Sequence, residues 1–95
     1  MNKLDYNLCK KITVNNELGL HARPAGMIAK LAIKAQSDVW LCKNGEQVDA
    51  SSIIDILSLA CLKGATVTLK IETPKDMNIL NEIINLFEKD FGEQV

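Results

Sequence analysis

The dipeptide Asn44-Gly45 joins two short segments with strand-like sequence, and it restricts the fold of this chain more than any other feature. Both residues tolerate the positive φ that a two-residue hairpin turn requires. The flanking segments, Val39–Lys43 and Glu46–Asp49, are each long enough for a short strand. The sequence therefore predicts an antiparallel β-hairpin near the middle of the chain.

Apolar periodicity predicts the elements on either side of this hairpin. Alternation predicts a strand over residues 9–15, around Ile12 and Val14, and another strand at Val67, Leu69 and Ile71. Helical spacing predicts helices over residues 22–36 and 52–63, the second begun by a serine and ended by Lys-Gly. Thr73-Pro74 breaks the chain, and a C-terminal helix follows that carries the apolar residues from Ile79 to Phe91.

The order of these elements is strand, helix, strand, strand, helix, strand, helix. That order favours an α+β fold, in which a four-stranded antiparallel or mixed sheet carries all three helices on one face and leaves the other face exposed to water. The 95 residues, of which 47% are hydrophobic, suffice for one domain, which we expect to span residues 1–95. Residues 1–7 have no predicted role and are expected to be a flexible extension or an addition to the first strand.

Composition argues against several classes of protein. The 11 basic and 12 acidic residues nearly balance, and only four residues are aromatic, so no nucleic-acid partner is expected. Residues 1–7 lack the pattern of a secretory signal, and no apolar run could span a bilayer, so we expect a cytoplasmic protein without membrane insertion. Cys9, Cys42 and Cys61 are too widely spaced for a metal site and are expected to be reduced core thiols. Neither a metal nor a cofactor is expected.

The six residues from Gly19 to Pro24, Gly-Leu-His-Ala-Arg-Pro, place the only histidine at the predicted start of a helix. Pro24 predicts helical position N1 or N2, because a proline there loses no hydrogen bond. The backbone N–H groups that follow it would be free to hold an anion at the positive end of the helix dipole. The expected phosphate-binding segment comprises Ala22, Pro24, Ala25, Gly26 and Met27, with free N–H groups on the last three.

His21 and Arg23 are the residues of this segment that could carry chemistry. A neutral imidazole is a nucleophile that can accept a phosphoryl group and release it again. The planar guanidinium of Arg23 could grip two phosphate oxygens at once. The motif therefore suggests reversible phosphoryl transfer on His21, although a helix cap or a solvated loop histidine is the ordinary alternative for a single histidine.

Four separated motifs resemble the HPr family, the histidine-containing phosphocarriers of the bacterial phosphoenolpyruvate-dependent sugar phosphotransferase system. They are Gly19-Leu20-His21-Ala22-Arg23-Pro24-Ala25, Ser52-Ile53-Ile54, Leu57-Ser58-Leu59 and Lys63-Gly64-Ala65. The resemblance covers nearly the whole chain and implies an open-faced β-sandwich with the βαββαβα order. That order agrees with the one read from periodicity.

The resemblance implies that His21 takes a phosphoryl group on ring nitrogen Nδ1 from phosphorylated enzyme I, whose donor is phosphoenolpyruvate, and passes it to IIA domains. Arg23 matches the phosphate-contacting arginine of the family. The protein would then be a substrate of its partners' active sites and not an enzyme itself. A carrier that docks with several enzymes in turn is most simply a monomer.

Ser52 matches the second phosphorylation position of the family, which an ATP-dependent HPr kinase/phosphorylase modifies to regulate carbon use. Helix capping would explain Ser52 equally well, because Ser52 and Asp55 form an approximate S-x-x-D capping box. Asp55 stands where the family leads us to expect glycine, and its carboxylate would repel an added phosphate. Ser51 is a competing acceptor.

Docking surfaces for such a carrier should be apolar and close to the histidine, and the candidates are Leu20, Met27, Ile53 and Ile54. Two adjacent isoleucines in a short helix cannot both face the sheet, so at least one of Ile53 and Ile54 should be exposed. Three alternative functions stay open: a regulator that only binds partners, a carrier in a nitrogen-linked relay, and a small ligand-binding module with an incidental anion site.

Overall fold

The computed structural model describes residues 8–93, so the expectations for residues 1–7 lie outside the described residues. Its strands are β1 (Cys9–Thr13), β2 (Val39–Lys43), β3 (Glu46–Asp49) and β4 (Thr66–Ile71), and its α-helices are α1 (Ala22–Ala32), α2 (Ile53–Ser58) and α3 (Met77–Glu88). Single 3₁₀ turns occupy Pro74–Asp76 and Asp90–Gly92. The predicted βαββαβα order and α+β class are confirmed.

The four strands form one antiparallel sheet in the order β1-β4-β2-β3. Leu41 in β2 lies opposite Leu69 in β4 and opposite Val48 in β3, so these side chains share the face that packs against the helices. The neighbouring row on the other face contains Lys70 and Trp40. The sheet is therefore open on one side, as the element order predicts.

Local sequence accounts for the hairpin between β2 and β3. Asn44 and Gly45 have φ of 51° and 83°, which is the left-handed backbone that their dipeptide tolerates. The predicted hairpin and the bounds of both strands are confirmed.

Helix α1 is shorter than predicted because a carboxylate from another part of the chain binds the backbone that follows it. Regular α-helix ends at Ala32, and the chain continues through turns in which Lys34 and Ala35 donate three residues back. The buried carboxylate of Asp76 then accepts hydrogen bonds from the N–H groups of Gln36 and Ser37, at 2.8 and 3.0 Å. The predicted end of the helix at residue 36 is therefore wrong.

The second helix has about half the predicted length. It ends at Ser58, and Ala60 takes a left-handed φ of 51°. Lys43 Nζ donates to the carbonyl oxygens of Leu59 and Ala60, which a helix of this length leaves unpaired. The prediction that Lys63-Gly64 closes this helix is wrong, because the chain turns earlier to pair with the loop before α1.

Phe91 also lies outside the helix to which its spacing assigns it. Helix α3 ends at Glu88, and Phe91 sits in the following turn with φ of 56°. Its buried ring packs edge-on against Phe87, with 4.9 Å between the ring centroids. Burial of Phe91 in the core between the helices and the sheet thus places the C-terminal segment next to the start of α1.

Candidate functional site

The loop that precedes α1 is held tightly against the segment that follows α2. The N–H of Leu20 donates to the carbonyl of Cys61 at 2.8 Å, and the Leu20 side chain is buried. Gly19 has φ of 66°, and a Cβ built there would lie only 2.3 Å from the Cys61 oxygen. Glycine is required here by the left-handed backbone and by the close approach. The contact sets the position at which His21 enters α1.

His21 is the N-cap residue of α1, and its side chain makes no capping hydrogen bond. The N–H of Ala25 donates to the His21 carbonyl, so the amides left free at this end are those of Ala22 and Arg23. The first turn of α1 contains no acidic residue. No acidic residue of the helix itself therefore reduces the positive potential that favours an anion at this end.

Two predictions about this helix start are wrong. Pro24 is the third helical residue and not the first or second, because α1 begins at Ala22. The N–H of Ala25 is taken by the His21 carbonyl, and those of Gly26 and Met27 fall where the helix pairs its amides internally. Backbone contact with an anion is thus confined to Ala22 and Arg23.

A glutamate from the C-terminal segment lies beside the histidine. Glu93 Oε2 is 2.6 Å from His21 Nε2 and 3.2 Å from Arg23 Nη1, and the other carboxylate oxygen accepts a hydrogen bond from Asn16 Nδ2 at 3.0 Å. Asn16 is only 2% exposed, and its Nδ2 also donates to the carbonyl of Gly19. The Glu93 side chain is 20% exposed, so its carboxylate is largely but not fully shielded from water.

These contacts keep the carboxylate of Glu93 ionised. The hydrogen bond from Asn16 is the main cause that lowers the pKa of Glu93, and the hydrogen bond and charge of His21 and the charge of Arg23 act in the same direction. Partial burial opposes the shift without reversing it. Glu93 is therefore a negative charge next to the imidazole at neutral pH.

The ionised carboxylate decides which ring nitrogen of His21 is available. A carboxylate without a proton can only accept hydrogen bonds, so the nitrogen that faces it, Nε2, carries the ring hydrogen. In the neutral ring the lone pair then lies on Nδ1, which has no hydrogen-bond partner among residues 8–93. The arrangement can present a nucleophilic nitrogen close to the start of α1.

Arg23 holds the C-terminal segment in this structure. Its Nη1 donates to the carbonyl of Phe91 at 2.9 Å as well as to Glu93, and its side chain is 53% exposed. The second terminal nitrogen, Nη2, donates no hydrogen bond within the part of the chain that the structure describes. The guanidinium therefore has a free donor, and its predicted contact with a phosphate stays a prediction.

The other predicted site residues lie on or beside α2. Ser52 is the N-cap of α2, as predicted, and its Oγ accepts the N–H of Asp55 at 3.2 Å. Ile54 is 78% exposed and Ile53 is 43% exposed, which confirms that at least one of them faces solvent. Leu20 is buried in the core and cannot serve as a docking residue, and Met27 is half-buried.

Asn16 and Glu93 are the site residues that sequence reasoning missed. Glu93 is 72 positions from His21, and no motif or periodicity near the C-terminus indicates the contact. The Asp90–Gly92 turn that directs Glu93 back to α1 depends on the burial of Phe91. In the sequence Asn16 looks like an ordinary loop residue. Only its burial and its hydrogen bonds to Gly19 and Glu93 show that it is part of the site.

The remaining predictions concern metals, membranes and cysteines. Residues 8–93 contain no group of three or more metal-ligating side chains, and none of the described helices is long and apolar enough to cross a membrane. All three cysteines are free, but only Cys61 belongs to the core. Cys9 is exposed on the edge strand β1, and Cys42 is half-buried on the open face, so the prediction of three core thiols is wrong.

Comparison with known proteins identifies the family of this chain. The family model PTS-HPr, described as the "PTS HPr component phosphorylation site", matches residues 8–89. The phosphocarrier protein HPr of Cupriavidus necator is 38% identical over 86 residues, which are 90% of this chain and 97% of that protein. The HPr-like protein Crh of Halalkalibacterium halodurans is 33% identical over 81 residues, which are 85% and 96% of the two chains.

A solved structure gives the same result for the fold. The crystal structure of HPr from Thermoanaerobacter tengcongensis superimposes with a TM-score of 0.86 and 34% identity, covering 92% of this chain and 98% of that chain. The matched residues 8–89 include the start of α1, His21 and Ser52, the residue that caps α2. This chain therefore belongs to the HPr family, the phosphocarrier components of the phosphotransferase system.

Proposed function

We propose that His21 carries the phosphoryl group on Nδ1, receives it from phosphorylated enzyme I and passes it to IIA domains in the cytoplasm. The observation that carries this proposal is the hydrogen bond between His21 Nε2 and Glu93, which leaves the Nδ1 lone pair uncommitted. Nδ1 adjoins the ring carbon attached to Cβ, so it is the ring nitrogen closer to the backbone. The free amides of Ala22 and Arg23 are at that end of the helix.

The same geometry supports a reversible carrier better than a permanent anion site. The histidine is half-buried at the surface, so a partner's active site can reach it. A phosphoryl group on nitrogen would meet two backbone N–H groups and the free nitrogen of Arg23, which together offset its negative charge. On this proposal the protein is a substrate of its partner phosphotransferases, acts as a monomer and performs no turnover itself.

The test is phosphorylation by a bacterial enzyme I and phosphoenolpyruvate, followed by intact mass and acid stability. We expect the wild type to gain one acid-labile phosphoryl group and His21→Ala to gain none, because the chain has a single histidine. Ser52→Ala serves as the matched control and should be phosphorylated like the wild type. The proposal is wrong if the wild type gains no mass while the same enzyme I phosphorylates another HPr.

The acceptor is tested separately from the donor. Phosphorylated protein is mixed with a sugar-specific IIA domain and with a nitrogen-linked one, and the loss of its phosphoryl group is followed. Faster loss to the sugar-specific domain supports the proposed acceptor. Faster loss to the nitrogen-linked domain assigns the carrier to the other relay, and loss to neither contradicts transfer to IIA domains as the proposed acceptors.

We propose that docking uses the exposed apolar side chains of α2, with Ile53 and Ile54 at its start and the half-buried Met27 on α1. Ile54 is 78% exposed, so its replacement by serine removes apolar contact surface without opening the core. Ile54→Ser should raise the KM of enzyme I for this carrier and leave the thermal unfolding midpoint unchanged. An unchanged KM would remove Ile54 from the docking surface.

We also propose that Ser52 is a regulatory phosphorylation site for an HPr kinase/phosphorylase. Lys30 of α1 lines the same surface recess as Ser52, so a cation is available to a phosphate added there. Ser51 lies in the same recess, but its Oγ donates to Asp49 Oδ1 at 2.7 Å and is already engaged. Incubation with the kinase and ATP should phosphorylate Ser51→Ala but not Ser52→Ala, and the reverse pattern would assign the site to Ser51.

A further inference from the structure

We propose that Glu93 and Asn16 are positioning residues for phosphoryl transfer: Glu93 keeps the ring hydrogen of His21 on Nε2 during both steps, and Asn16 holds Glu93 in place. The inference rests on the proposed function of His21. It concerns a carboxylate from the far end of the chain, outside the matched residues 8–89.

The two carboxylate oxygens of Glu93 have separate contacts. Oε2 faces the imidazole at 2.6 Å and Arg23 at 3.2 Å, whereas Oε1 receives the amide of Asn16 at 3.0 Å. The same amide nitrogen of Asn16 donates to the carbonyl of Gly19 at 2.7 Å. Asn16 therefore ties the loop before His21 to the carboxylate that orients the ring.

The C-terminal segment has an unusual backbone conformation that places the Glu93 carboxylate next to His21. Asp90 and Phe91 both have left-handed backbone, with φ of 51° and 56°, which is unfavourable for residues other than glycine. Burial of the Phe91 ring and the hydrogen bond from Arg23 to its carbonyl oppose that cost. Glu93 comes two residues after Phe91, directly after this turn, and its carboxylate lies beside His21.

In the accepting step, the Nδ1 lone pair of His21 forms a bond to the phosphorus of a donor phosphohistidine. The phosphorus–nitrogen bond of the donor breaks, and its electron pair returns to the donor ring. The His21 ring then carries a positive charge with its hydrogen still on Nε2. The Glu93 carboxylate stabilises that charge and the hydrogen bond, as an orienting carboxylate does beside a reacting imidazole.

In the donating step, the bond between phosphorus and Nδ1 breaks, and the electron pair returns to Nδ1 as the acceptor's nucleophile binds phosphorus. Because Nε2 has kept its hydrogen, the ring leaves as neutral imidazole. Without that hydrogen it would leave as an imidazolate anion, which is a much poorer leaving group. Glu93 therefore favours transfer in both directions without donating or accepting a proton itself.

The other acidic side chains near Glu93 do not contact the imidazole of His21. Glu17 and Asp90 line the same surface recess, but neither forms a hydrogen bond or ion pair with the imidazole. Glu17 pairs with Lys63 at 3.1 Å and is largely exposed. Glu17→Gln removes the same charge from the same recess and is the matched control for Glu93→Gln.

The first experiment measures single-turnover phosphorylation by limiting phosphorylated enzyme I. We expect Glu93→Gln to slow the transfer about 10-fold, the lower end of the range found for carboxylates that orient metal-bound histidines, because Glu93 is partly exposed. Glu93→Asp should recover part of the rate, and Glu17→Gln should match the wild type. Equal rates for the wild type and Glu93→Gln would overturn the inference and leave the proposed function intact.

The second experiment uses NMR to determine which ring nitrogen of His21 carries the hydrogen. His21 is the only histidine, so its ¹⁵N ring resonances are unambiguous. In the neutral ring the wild type should show the hydrogen on Nε2, while Glu93→Gln and Asn16→Ala should shift both nitrogens toward averaged values. Wild-type ring resonances in both variants, with folded protein, would contradict the inference. Failure of the wild type itself to accept a phosphoryl group would refute the proposed function and this inference with it.

Discussion

Replacement of Gly19 by alanine should destabilise the fold more than any other single-methyl addition to a glycine of this chain. The left-handed φ of 66° costs a residue with Cβ about 1–2 kcal/mol. The new Cβ would also lie 2.3 Å from the Cys61 oxygen, which accepts the Leu20 N–H at 2.8 Å. Moving these segments apart gives up that hydrogen bond, which contributes roughly 1 kcal/mol.

We therefore expect Gly19→Ala to lower the free energy of unfolding by about 2–3 kcal/mol and the melting midpoint by about 10 °C or more. Urea unfolding followed by circular dichroism measures the first quantity, and a thermal scan measures the second. Because the clash lies two residues before His21, phosphorylation by enzyme I should also slow.

Gly26→Ala is the matched control within the same region. A Cβ at Gly26 meets only Ile53 Cδ1, at 3.8 Å, and Gly26 lies inside α1, where alanine is favoured by about 0.5–1 kcal/mol. This variant should be slightly more stable than the wild type. If Gly19→Ala unfolds at the same urea concentration as Gly26→Ala, the close approach of Gly19 to Cys61 is not a feature of the folded protein.

Three further predictions concern stability. Ala60→Gly should raise the free energy of unfolding by about 0.5 kcal/mol in urea titrations, because Ala60 has a φ of 51°; a loss of stability would contradict the left-handed assignment. Asp76→Asn should cost about 1–3 kcal/mol in the same assay, since Gln36 and Ser37 donate to different carboxylate oxygens and asparagine replaces one of these acceptors with an NH2 donor; a neutral effect would mean that these hydrogen bonds contribute nothing. The lowered pKa of Glu93 implies stability that is present above about pH 4.3, the ordinary glutamate value, and is lost as the pH falls through the lower folded value. The difference in unfolding free energy between the wild type and Glu93→Gln should therefore shrink in acid, and a difference that stays constant with pH would refute this contribution.

Features that depend on a few neighbouring residues could be predicted from the sequence. The hairpin at Asn44-Gly45, the capping of α2 by Ser52 and the placement of His21 at the start of α1 all follow from backbone preferences within one turn. Alternating and helical periodicity likewise predicts the order of the elements, because each element must bury one apolar face. The fold class and the position of the candidate histidine at the start of α1 are therefore properties of the local sequence.

Features that depend on distant partners could not be predicted in this way. The early end of α2 results from the pairing of Leu20 with Cys61, and the early end of α1 from the carboxylate of Asp76. Periodicity continues past both ends because the residues beyond them are still apolar, so the pattern alone cannot show where the chain turns.

The candidate site also combines residues that the local sequence reveals with residues that only the tertiary structure brings together. His21 and Arg23 lie two positions apart in one motif, so their proximity is visible in the sequence. Glu93 reaches His21 only because Phe91 is buried against Phe87 and turns the C-terminal segment back toward α1. The sequence by itself determined which residue is the candidate phosphoryl carrier, and the tertiary structure decided which carboxylate lies beside it, because that contact joins residues 72 positions apart and depends on packing.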